Sequence, residues 1–559
     1  MLTCLRGAHV VDPVHETDSV GDVWFEDGHI VAQPEGRKPD AEYDVSGHIV
    51  MAGAIDIHSH IAGGGVNAAR LLMPEAHRAH RPRPPGTPLS TAGWSTFETG
   101  RLYAQMGYTT VIEPAILPHQ ALHAHLELAD IPIIDKGFLT VLGNDDFLLS
   151  AFRNNERDAA IVDYIGATLE STRAIGIKCA NPGGVCACKQ NLRSFSLDDK
   201  VPEYGLSSRD IFTRLQRAVA ATGIPHPLHL HMSNLGLAGN VETALATIDA
   251  SQGLPLHLAH AQFYAYGKEG KNGFSSAAAQ LAEKINADKK VTMDVGQVMF
   301  ANTVTISTDV MKQLNSLPSG RPKKGVIFDG DSSGLGVVPY AYRVSDFFNA
   351  VQWAAGLELF LLTNDPMRVF FTVDHPNGAP FTSYPEVLAL LMSADKRAQW
   401  LSRLPADVLE MTSLPSIKRE YSLYEVATMT RAAPRKLYGF NDRGELGPGA
   451  VADIAVYKPQ RDKAGMFRDA AYVFKDGDLV VRDGKVSRYT HGKTLHVHPE
   501  YDRAINKRLD SYYDDLYGMP RSLFEVSDAA LPNKDAFAEV PSRRLGGSIG
   551  RAEAVHRRG

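Results

Sequence analysis

The sequence predicts an α/β protein: a (β/α)₈ barrel with a small flanking β-domain built from the N- and C-terminal segments. The first observation is a set of eight apolar, strand-like segments, and eight parallel strands close a barrel of this type. The second is that helical segments separate most of these strands, and the third is that short strands with turns stand at both ends of the chain. The eight segments are VMAGAIDIHSH, YTTVIEPA, IPIIDKGFLTVLG, IGIKCA, PLHLHMSN, PLHLAHAQ, VTMDVGQV and RVFFTVDH.

The helical segments between the strands support this arrangement. Strands that alternate with helical stretches are typical of a parallel sheet with crossover helices. The clearest helical segments are DAAIVDYIGATLESTRA, SSRDIFTRLQRAVAATG and SSAAAQLAEKINADKK.

We predict four parts of the chain. Residues 1–52 form the first part of the β-domain, because VVDP, VWFEDGHIV and YDVSGHIV are β-branched and aromatic runs broken by turn residues. Residues 53–436 form the barrel, with an insertion at about 300–362 and an arginine- and proline-rich loop at 77–88. Residues 437–495 return to short strands and complete the β-domain, and residues 496–559 form a C-terminal extension.

Composition excludes several classes of protein. The chain has 559 residues, 44% of them hydrophobic and 22% charged, with a formal net charge of -6, so neither nucleic acid nor an anionic membrane is an expected partner. No segment approaches the roughly 18 consecutive apolar residues of a membrane span, and the first residues lack the pattern of a secretory signal, so we expect a cytoplasmic protein. Three of the four cysteines crowd into CANPGGVCAC, which does not resemble a disulfide framework.

The first chemical signal is the pair of histidines in AIDIHSH. Residues two apart in a strand point to the same side, so Asp56, His58 and His60 share a face. At the C-terminal end of a barrel strand, where such enzymes place their active sites, both imidazoles can bind one metal ion.

Further residues of the metal-binding type stand at the ends of later strands. HLHMSN ends with His231, and His229 lies on the same face; HLAH ends with His260, and TVDHPNG contains Asp374. Each residue alone is more simply a hydrogen-bonded core or loop residue. Their joint occurrence at strand ends favours a metal centre at the mouth of the barrel.

Lys178 is unusual because it lies in the apolar strand segment AIGIKCANPGG. A buried lysine is costly unless it is paired or neutral, and the ordinary interpretation is a salt bridge. The alternative is a reaction of the neutral amine with CO₂, which creates a carboxylate that can bridge two metal ions; burial favours the neutral amine by lowering the lysine pKa.

The order of these residues resembles that of the amidohydrolase superfamily with a binuclear metal site and a carboxylated lysine. More narrowly, five segments resemble the A subunits of formylmethanofuran dehydrogenases and their bacterial counterparts, the alpha subunits of formyltransferase/hydrolase complexes. The resemblance extends from the N-terminal strands to about residue 495. The five segments are GAIDIHSHIAGGGVN, GIKCANPGGV, HLHMSNLGLAGN, HLAHAQFYAYG and FFTVDHPNGAPFT.

The resemblance implies a ligand set and a mechanism. His58, His60, N6-carboxylated Lys178 and Asp374 would hold one zinc ion, and Lys178, His231 and His260 the other. His231 is the least certain ligand, with His229 as the alternative or as a group that supports the ligands from behind. A hydroxide shared by the two ions would attack the carbonyl, and Asp374 would move the proton to the leaving nitrogen.

The resemblance also implies a substrate and partners. The substrate would be an N-formyl group on methanofuran or methylofuran, cleaved to formate and the free amine in the oxidation of formaldehyde. Partners would be a formyltransferase and two further subunits. Three alternatives remain: an archaeal-type dehydrogenase subunit, an amidohydrolase of cyclic or N-acyl amides, and a non-catalytic scaffold. The chain lacks dense cysteine motifs for iron–sulfur clusters, so we do not expect redox chemistry in this subunit.

Overall fold

Eight parallel strands form the core of the protein, as the sequence predicts. The computed structural model describes residues 1–73, 95–328 and 334–542, so the predicted loop at 77–88 lies outside the described residues. The strands, named here β1 to β8, are Ala54–Asp56, Tyr108–Ile116, Asp135–Leu142, Gly176–Ala180, Leu228–His231, Leu256–Leu258, Val291–Asp294 and Val369–Phe370. Each contains part of one of the eight segments identified in the sequence, and the predicted fold class is confirmed.

The strands are hydrogen-bonded in chain order from β1 to β8. The barrel closes just beyond the ends of β1 and β8, where the His60 backbone N–H donates to the His375 carbonyl at 2.7 Å and Ser59 forms a parallel bridge with His375. The first and last strands of the barrel are therefore neighbours, and residues that follow them lie side by side.

Helices surround the barrel, and their local sequences explain where they begin. The helix Ser208–Ala221, for example, starts with a capping box in which Ser207 and Asp210 satisfy each other's backbone N–H groups, and it buries Ile211 and Leu215. The helices of the described residues are Gly64–Leu72, Thr96–Gln105, Ala121–Ala129, Asp146–Arg153, Asp158–Thr172, Gly184–Lys189, Ser208–Ala221, Val241–Ala250, Ala278–Ala287, Val310–Ser316, Phe347–Leu362, Tyr384–Leu391, Ala394–Leu401, Ala406–Leu409, Leu423–Ala427, Ala433–Tyr438, Lys463–Arg468 and Ile505–Tyr517.

Both ends of the chain build one β-domain. Its nine-stranded sheet joins N-terminal and C-terminal strands through the antiparallel pair Ile49–Ala52 and Ile454–Tyr457. The strands are Leu2–Asp12, Thr17–Glu26, His29–Val31, Ala41–Asp44, Ile49–Ala52, Ile454–Tyr457, Tyr472–Lys475, Asp478–Arg482 and Lys485–Val486. The predicted flanking domain is confirmed.

A buried ion network, called the lower cluster here, connects the start of β3 with this domain. Lys475 lies 3.3 Å from Asp135 and 3.1 Å from Asp453, and Arg443 pairs with both Asp135 and Asp442. Burial alone would raise the pKa of Asp135, but the charges of Lys475 and Arg443 lower it.

The segment between β7 and β8 contains a small antiparallel sheet, in which Leu335–Ala341 pairs with both Asn302–Ser307 and Val326–Phe328. The helix Val310–Ser316 follows the strand Asn302–Ser307 along the chain. The following helix, Phe347–Leu362, is almost entirely buried and packs beside Ala278–Ala287. The insertion sheet therefore occupies 302–341, and the residues after it return to the outer layer of the barrel.

The C-terminal extension lies against the barrel. Thr494–His496 pairs with the start of β3, and Phe537–Glu539 pairs with Thr494–His496. Arg503 forms an ion pair of 2.8 Å with Glu170 on the helix Asp158–Thr172. Across the part of the chain that the structure describes, no helix has the length and apolar character to cross a membrane.

Candidate metal centre

The six residues predicted as ligands meet at the C-terminal end of the barrel. All are buried, with side chains no more than 5% exposed. His58 and His60 follow β1, and Lys178 lies within β4. His231 ends β5, and the other two residues, His260 and Asp374, follow β6 and β8.

One half of the site consists of His58, His60 and Asp374. The His58 Nε2 lies 3.0 Å from the Asp374 Oδ1, and the His60 Nε2 lies 3.7 Å from the same oxygen. Ligands about 2.0–2.1 Å from a tetrahedral zinc ion are themselves about 3.3 Å apart. These three atoms are therefore spaced as ligands of one ion.

The other half consists of His231 and His260. The His231 Nε2–H donates to Asp309 at 3.2 Å, which leaves the lone pair of its Nδ1 facing the His260 Nε2 at 3.0 Å. Within the described residues the His260 Nδ1 has no hydrogen-bond partner. Burial lowers the pKa of both imidazoles, which keeps them neutral, the form that binds metal.

Lys178 lies between the halves. Its Nζ is 3.5 Å from the His58 Nε2, and no carboxylate of the described residues forms an ion pair with it. Burial lowers the pKa of Lys178, although Asp374 and Asp294 oppose this. The salt bridge that would be the ordinary interpretation of this lysine is absent from the described part of the chain.

The charges of the site favour a cation. Burial lowers the pKa of His58, but the carboxylates of Asp294 and Asp374 outweigh that effect and raise it to about 9. The two carboxylates thus favour a positive charge at this position, which a bound metal ion would also supply. Imidazole nitrogens and a carboxylate at these spacings fit zinc, which prefers nitrogen and oxygen ligands of this kind.

Three carboxylates behind the histidines orient the rings. Glu113 accepts from the His60 Nδ1 at 2.8 Å, and Asp294 accepts from the His58 Nδ1 at 3.0 Å. Asp309 does the same for His231. Such partners fix the tautomer and make the imidazole a better ligand.

Sequence reasoning missed these three carboxylates. Glu113 in YTTVIEPA and Asp294 in VTMDVGQV are charged residues in apolar strands, and the same signal identified Lys178. Asp309 lies in the insertion, where no strand pattern marked it.

His229 contacts the site from the opposite side of His58. Its Nε2 lies 3.0 Å from the His58 Nδ1 and 3.6 Å from the Asp294 Oδ2. Asp294 also accepts from the His257 Nε2 at 3.2 Å and from the His260 backbone N–H at 2.7 Å. His58, His229 and Asp294 have the spacing of a metal site, but these hydrogen bonds already use the carboxylate, and neither His229 nor Asp294 lines the cavity described below.

Two of the candidate ligands have unusual backbone conformations. His260 has φ of 35° and Asp374 has φ of 51°, in the left-handed region that residues other than glycine seldom adopt. Both stand where a strand ends and the chain turns across the barrel mouth. Conformations of this kind concentrate at functional sites.

A cavity of about 120 Å³ opens above these residues. His60, Lys178, His231, His260 and Asp374 form part of its wall. Most of the remaining wall comes from the insertion and from the loops after the strands. Its other members include Leu235, Gly236, Phe263, Thr305, Ser307, Lys312, Tyr340, Tyr342 and Asn377.

A barrel of eight strands with a histidine and carboxylate centre at its C-terminal face defines the metal-dependent hydrolases of the amidohydrolase type. The model of the amidohydrolase family matches residues 41–487, and the chain belongs to this family. A D-aminoacylase variant that is 14% identical and has a TM-score of 0.50 covers 88% of this chain and 99% of its own, and shares the fold.

The narrower resemblance is confirmed by the similarity of full-length relatives. The A subunit of the formyltransferase/hydrolase complex Fhc of Methylorubrum extorquens is 47% identical over 549 residues, which are 97% of this chain and 100% of the relative. Protein FwdA of Methanocaldococcus jannaschii is 36% identical over 96% of this chain and 97% of its own length.

The fold of this chain is closely similar to that of a solved structure. A chain in the crystal structure of the formyltransferase/hydrolase complex FhcABCD from Methylorubrum extorquens, in complex with methylofuran, has a TM-score of 0.95. It is 48% identical, and the alignment covers 97% of this chain and 100% of that one.

Proposed function

We propose that this chain hydrolyses the N-formyl amide of a furfurylamine-type coenzyme, formylmethanofuran or formylmethylofuran, to formate and the free amine. The observation that carries the proposal is a buried histidine and carboxylate centre that opens into a cavity, in a chain nearly half identical over its length to the A subunit of Fhc. The higher identity to the bacterial protein than to FwdA favours the hydrolytic role over that of an archaeal dehydrogenase subunit.

The centre would hold two zinc ions. His58, His60, Lys178 and Asp374 would hold one ion, and Lys178, carboxylated on its amine, would hold the other together with His231 and His260. The spacing of the described atoms supports this assignment. When bound, the ions would supply an activated water and polarise the carbonyl oxygen of the amide.

Asp374 would move the proton. Its carboxylate lies at the wall of the cavity beside His58 and His60, where it can accept the proton of the attacking water and deliver it to the leaving nitrogen. The charges of the neighbouring histidines lower the pKa of Asp374, against the effect of burial, so it begins the reaction as a base. Glu113, Asp294 and Asp309 would hold the imidazoles in place during this transfer.

The partners follow from the relative whose structure was solved as a complex. We propose that this chain is the hydrolase component of an assembly with a formyltransferase and two further subunits, with methylofuran as the coenzyme, in formaldehyde oxidation. Its cytoplasmic location remains a prediction.

The test is an assay of formate release with the full-length chain, purified with zinc present. N-formylfurfurylamine and formyl-coenzyme should yield formate, whereas hydantoin and dihydroorotate should remain intact. Metal analysis should return two zinc ions per chain, and ¹³C NMR after growth with ¹³CO₂ should show a carbamate on Lys178. Hydrolysis of the cyclic substrates without formate release from the formyl amides would refute the proposed substrate.

A further inference from the structure

Lys312 faces the active-site cavity from the insertion. It lies in the first turn of the helix Val310–Ser316, and its side chain lines the same cavity as His231 and His260. Apart from Lys178, it is the one lysine or arginine among the described residues that line this cavity.

The ammonium of Lys312 has no anionic partner within the part of the chain that is described. Asp309 is the carboxylate whose charge acts on it, yet that carboxylate accepts hydrogen bonds from the His231 Nε2 at 3.2 Å and the Asn181 Nδ2 at 3.1 Å. It also accepts from the backbone N–H of Lys312 at 3.0 Å, so three hydrogen bonds already engage this carboxylate. Burial lowers the pKa of Lys312, which reflects this missing compensation.

The surroundings leave room for the ammonium. The Lys312 Nζ lies 2.9 Å from the point where a Cβ would stand on Gly236, which has φ of +74° in the loop after β5. A side chain at position 236 would require the Lys312 ammonium to move. The glycine therefore lets the positive charge lie against the loop that follows His231.

Among the described residues, the outer part of the cavity has no competing carboxylate. Asp374 is the one acidic residue of the described cavity wall, and it belongs to the candidate metal centre. The wall near Lys312 is neutral and polar, with the hydroxyl or amide groups of Thr305, Ser307 and Gln313. A half-buried ammonium without a counter-ion is costly, and a ligand that brings a carboxylate would offset that cost.

We propose that Lys312 makes the outer wall of this cavity a carboxylate-binding subsite. The inference deepens the proposed function and rests on it for the reaction carried out beside this subsite. The carboxylate has two possible sources: the formate that hydrolysis releases, or a carboxylate substituent on the coenzyme amine.

The test measures binding rather than turnover. Isothermal titration calorimetry on the full-length, zinc-loaded chain would use three probes: sodium formate, furfurylamine, and a furfurylamine that bears one carboxylate. The variants are Lys312→Met, Lys312→Arg and, as the matched control, Lys323→Met, since Lys323 is an exposed lysine of the same insertion outside the cavity wall.

Lys312→Met should bind at least one carboxylate probe about tenfold more weakly or worse, because a charged hydrogen bond is lost. Lys312→Arg should recover most of that affinity, and furfurylamine and the Lys323→Met variant should show no change. A loss confined to formate identifies the product as the ligand, and a loss confined to the carboxylated amine identifies the substituent.

The proposal fails if neither carboxylate probe loses more than about twofold, if the wild-type chain binds neither probe, or if neutral furfurylamine weakens as much as its carboxylated form. Failure of the proposed function gives a different result. In that case formyl amides would release no formate, while the dependence of carboxylate binding on Lys312 would persist.

Discussion

The barrel contains two buried clusters of charged residues, one at each end, and they are built differently. In the lower cluster both cations are matched: Lys475 contacts three carboxylates, and Arg443 contacts two. In the metal centre Lys178 has no carboxylate partner in the described residues, and the ring nitrogens of His231 and His260 face each other.

The difference shows that burial alone does not separate a structural cluster from a functional one. Lys475 and Lys178 are both almost completely buried. The ion pairs raise the pKa of the first, whereas burial lowers the pKa of the second. A buried site that still has lone pairs and amines to satisfy is prepared for a ligand that the protein chain does not itself provide.

The strongest way to break this comparison is Lys178→Ala. We expect formate release to fall at least about a thousandfold and zinc content to drop, because a ligand proposed for both zinc ions is lost. Atomic absorption and the formate assay would measure both. Lys136→Ala is the control, since Lys136 is equally buried but donates to the backbone carbonyls of Ile131 and Gly492; the two variants losing zinc equally would contradict the assignment.

Asp374→Asn separates proton transfer from metal binding. The amide keeps the shape and one oxygen ligand but accepts no proton, so we expect kcat to fall about a hundredfold to ten-thousandfold while most of the zinc remains. Steady-state kinetics with metal analysis on the same sample would show this. Unchanged kcat would remove Asp374 from its proposed role.

Lys475→Met tests the lower cluster. Removal of one partner from a buried ion network leaves uncompensated carboxylates and should cost about 3–5 kcal/mol of unfolding free energy. Urea unfolding would measure the loss, and activity per folded molecule should stay near that of the wild type. A loss of zinc without loss of stability would reverse the distinction between the clusters.

Asp309→Asn sharpens the comparison within the metal centre. Loss of the carboxylate that orients His231 should weaken zinc binding about tenfold to a hundredfold, with the fold retained. Competition with a chelator would give the affinity. Asp346→Asn is a suitable control, since Asp346 also caps a helix, Phe347–Leu362, but is not among the residues that line the cavity. An equal effect on zinc would show that helix capping is the cause.

His125 shows how burial changes the pKa of a histidine whose ring hydrogen-bonds to a backbone carbonyl, that of Thr172. Burial lowers the pKa of His125 from 6.5 to about 4. Between these values the unfolded chain binds more protons, so stability decreases as the pH falls below 6.5, by about 1.4 kcal/mol at pH 5.5. Urea unfolding at pH 7.5 and 5.5 should show a smaller decrease for His125→Gln than for the wild type, and equal decreases would contradict this pKa.

The sequence predicted the barrel because each strand is a short apolar segment and the helices between them are regular. It also predicted the six residues that converge, because strand ends of a barrel meet at one face. The roles of these residues stay predictions. It did not predict Asp309 or the sheet at 302–341, since their positions depend on packing between segments that carry no repeating pattern.

His229 illustrates a further limit. Its place on the same strand face as His231 made the two equivalent in the sequence. The structure separates them, because His231 contacts His260 across the site while His229 contacts the far side of His58. Two residues along one strand differ in depth within a barrel, and only the packing of neighbouring strands reveals which one reaches the mouth.

The closure of the barrel beside His60 and His375 has a consequence for how the molecule is made. His58 and His60 leave the ribosome early, but their neighbour across the closure, Asp374, is synthesised only after all eight barrel strands. The β-domain must wait longer still, for the strands that end near residue 486. Assembly of the six-residue centre is therefore a late event in biogenesis, and a nascent chain stalled before residue 374 should carry no intact centre.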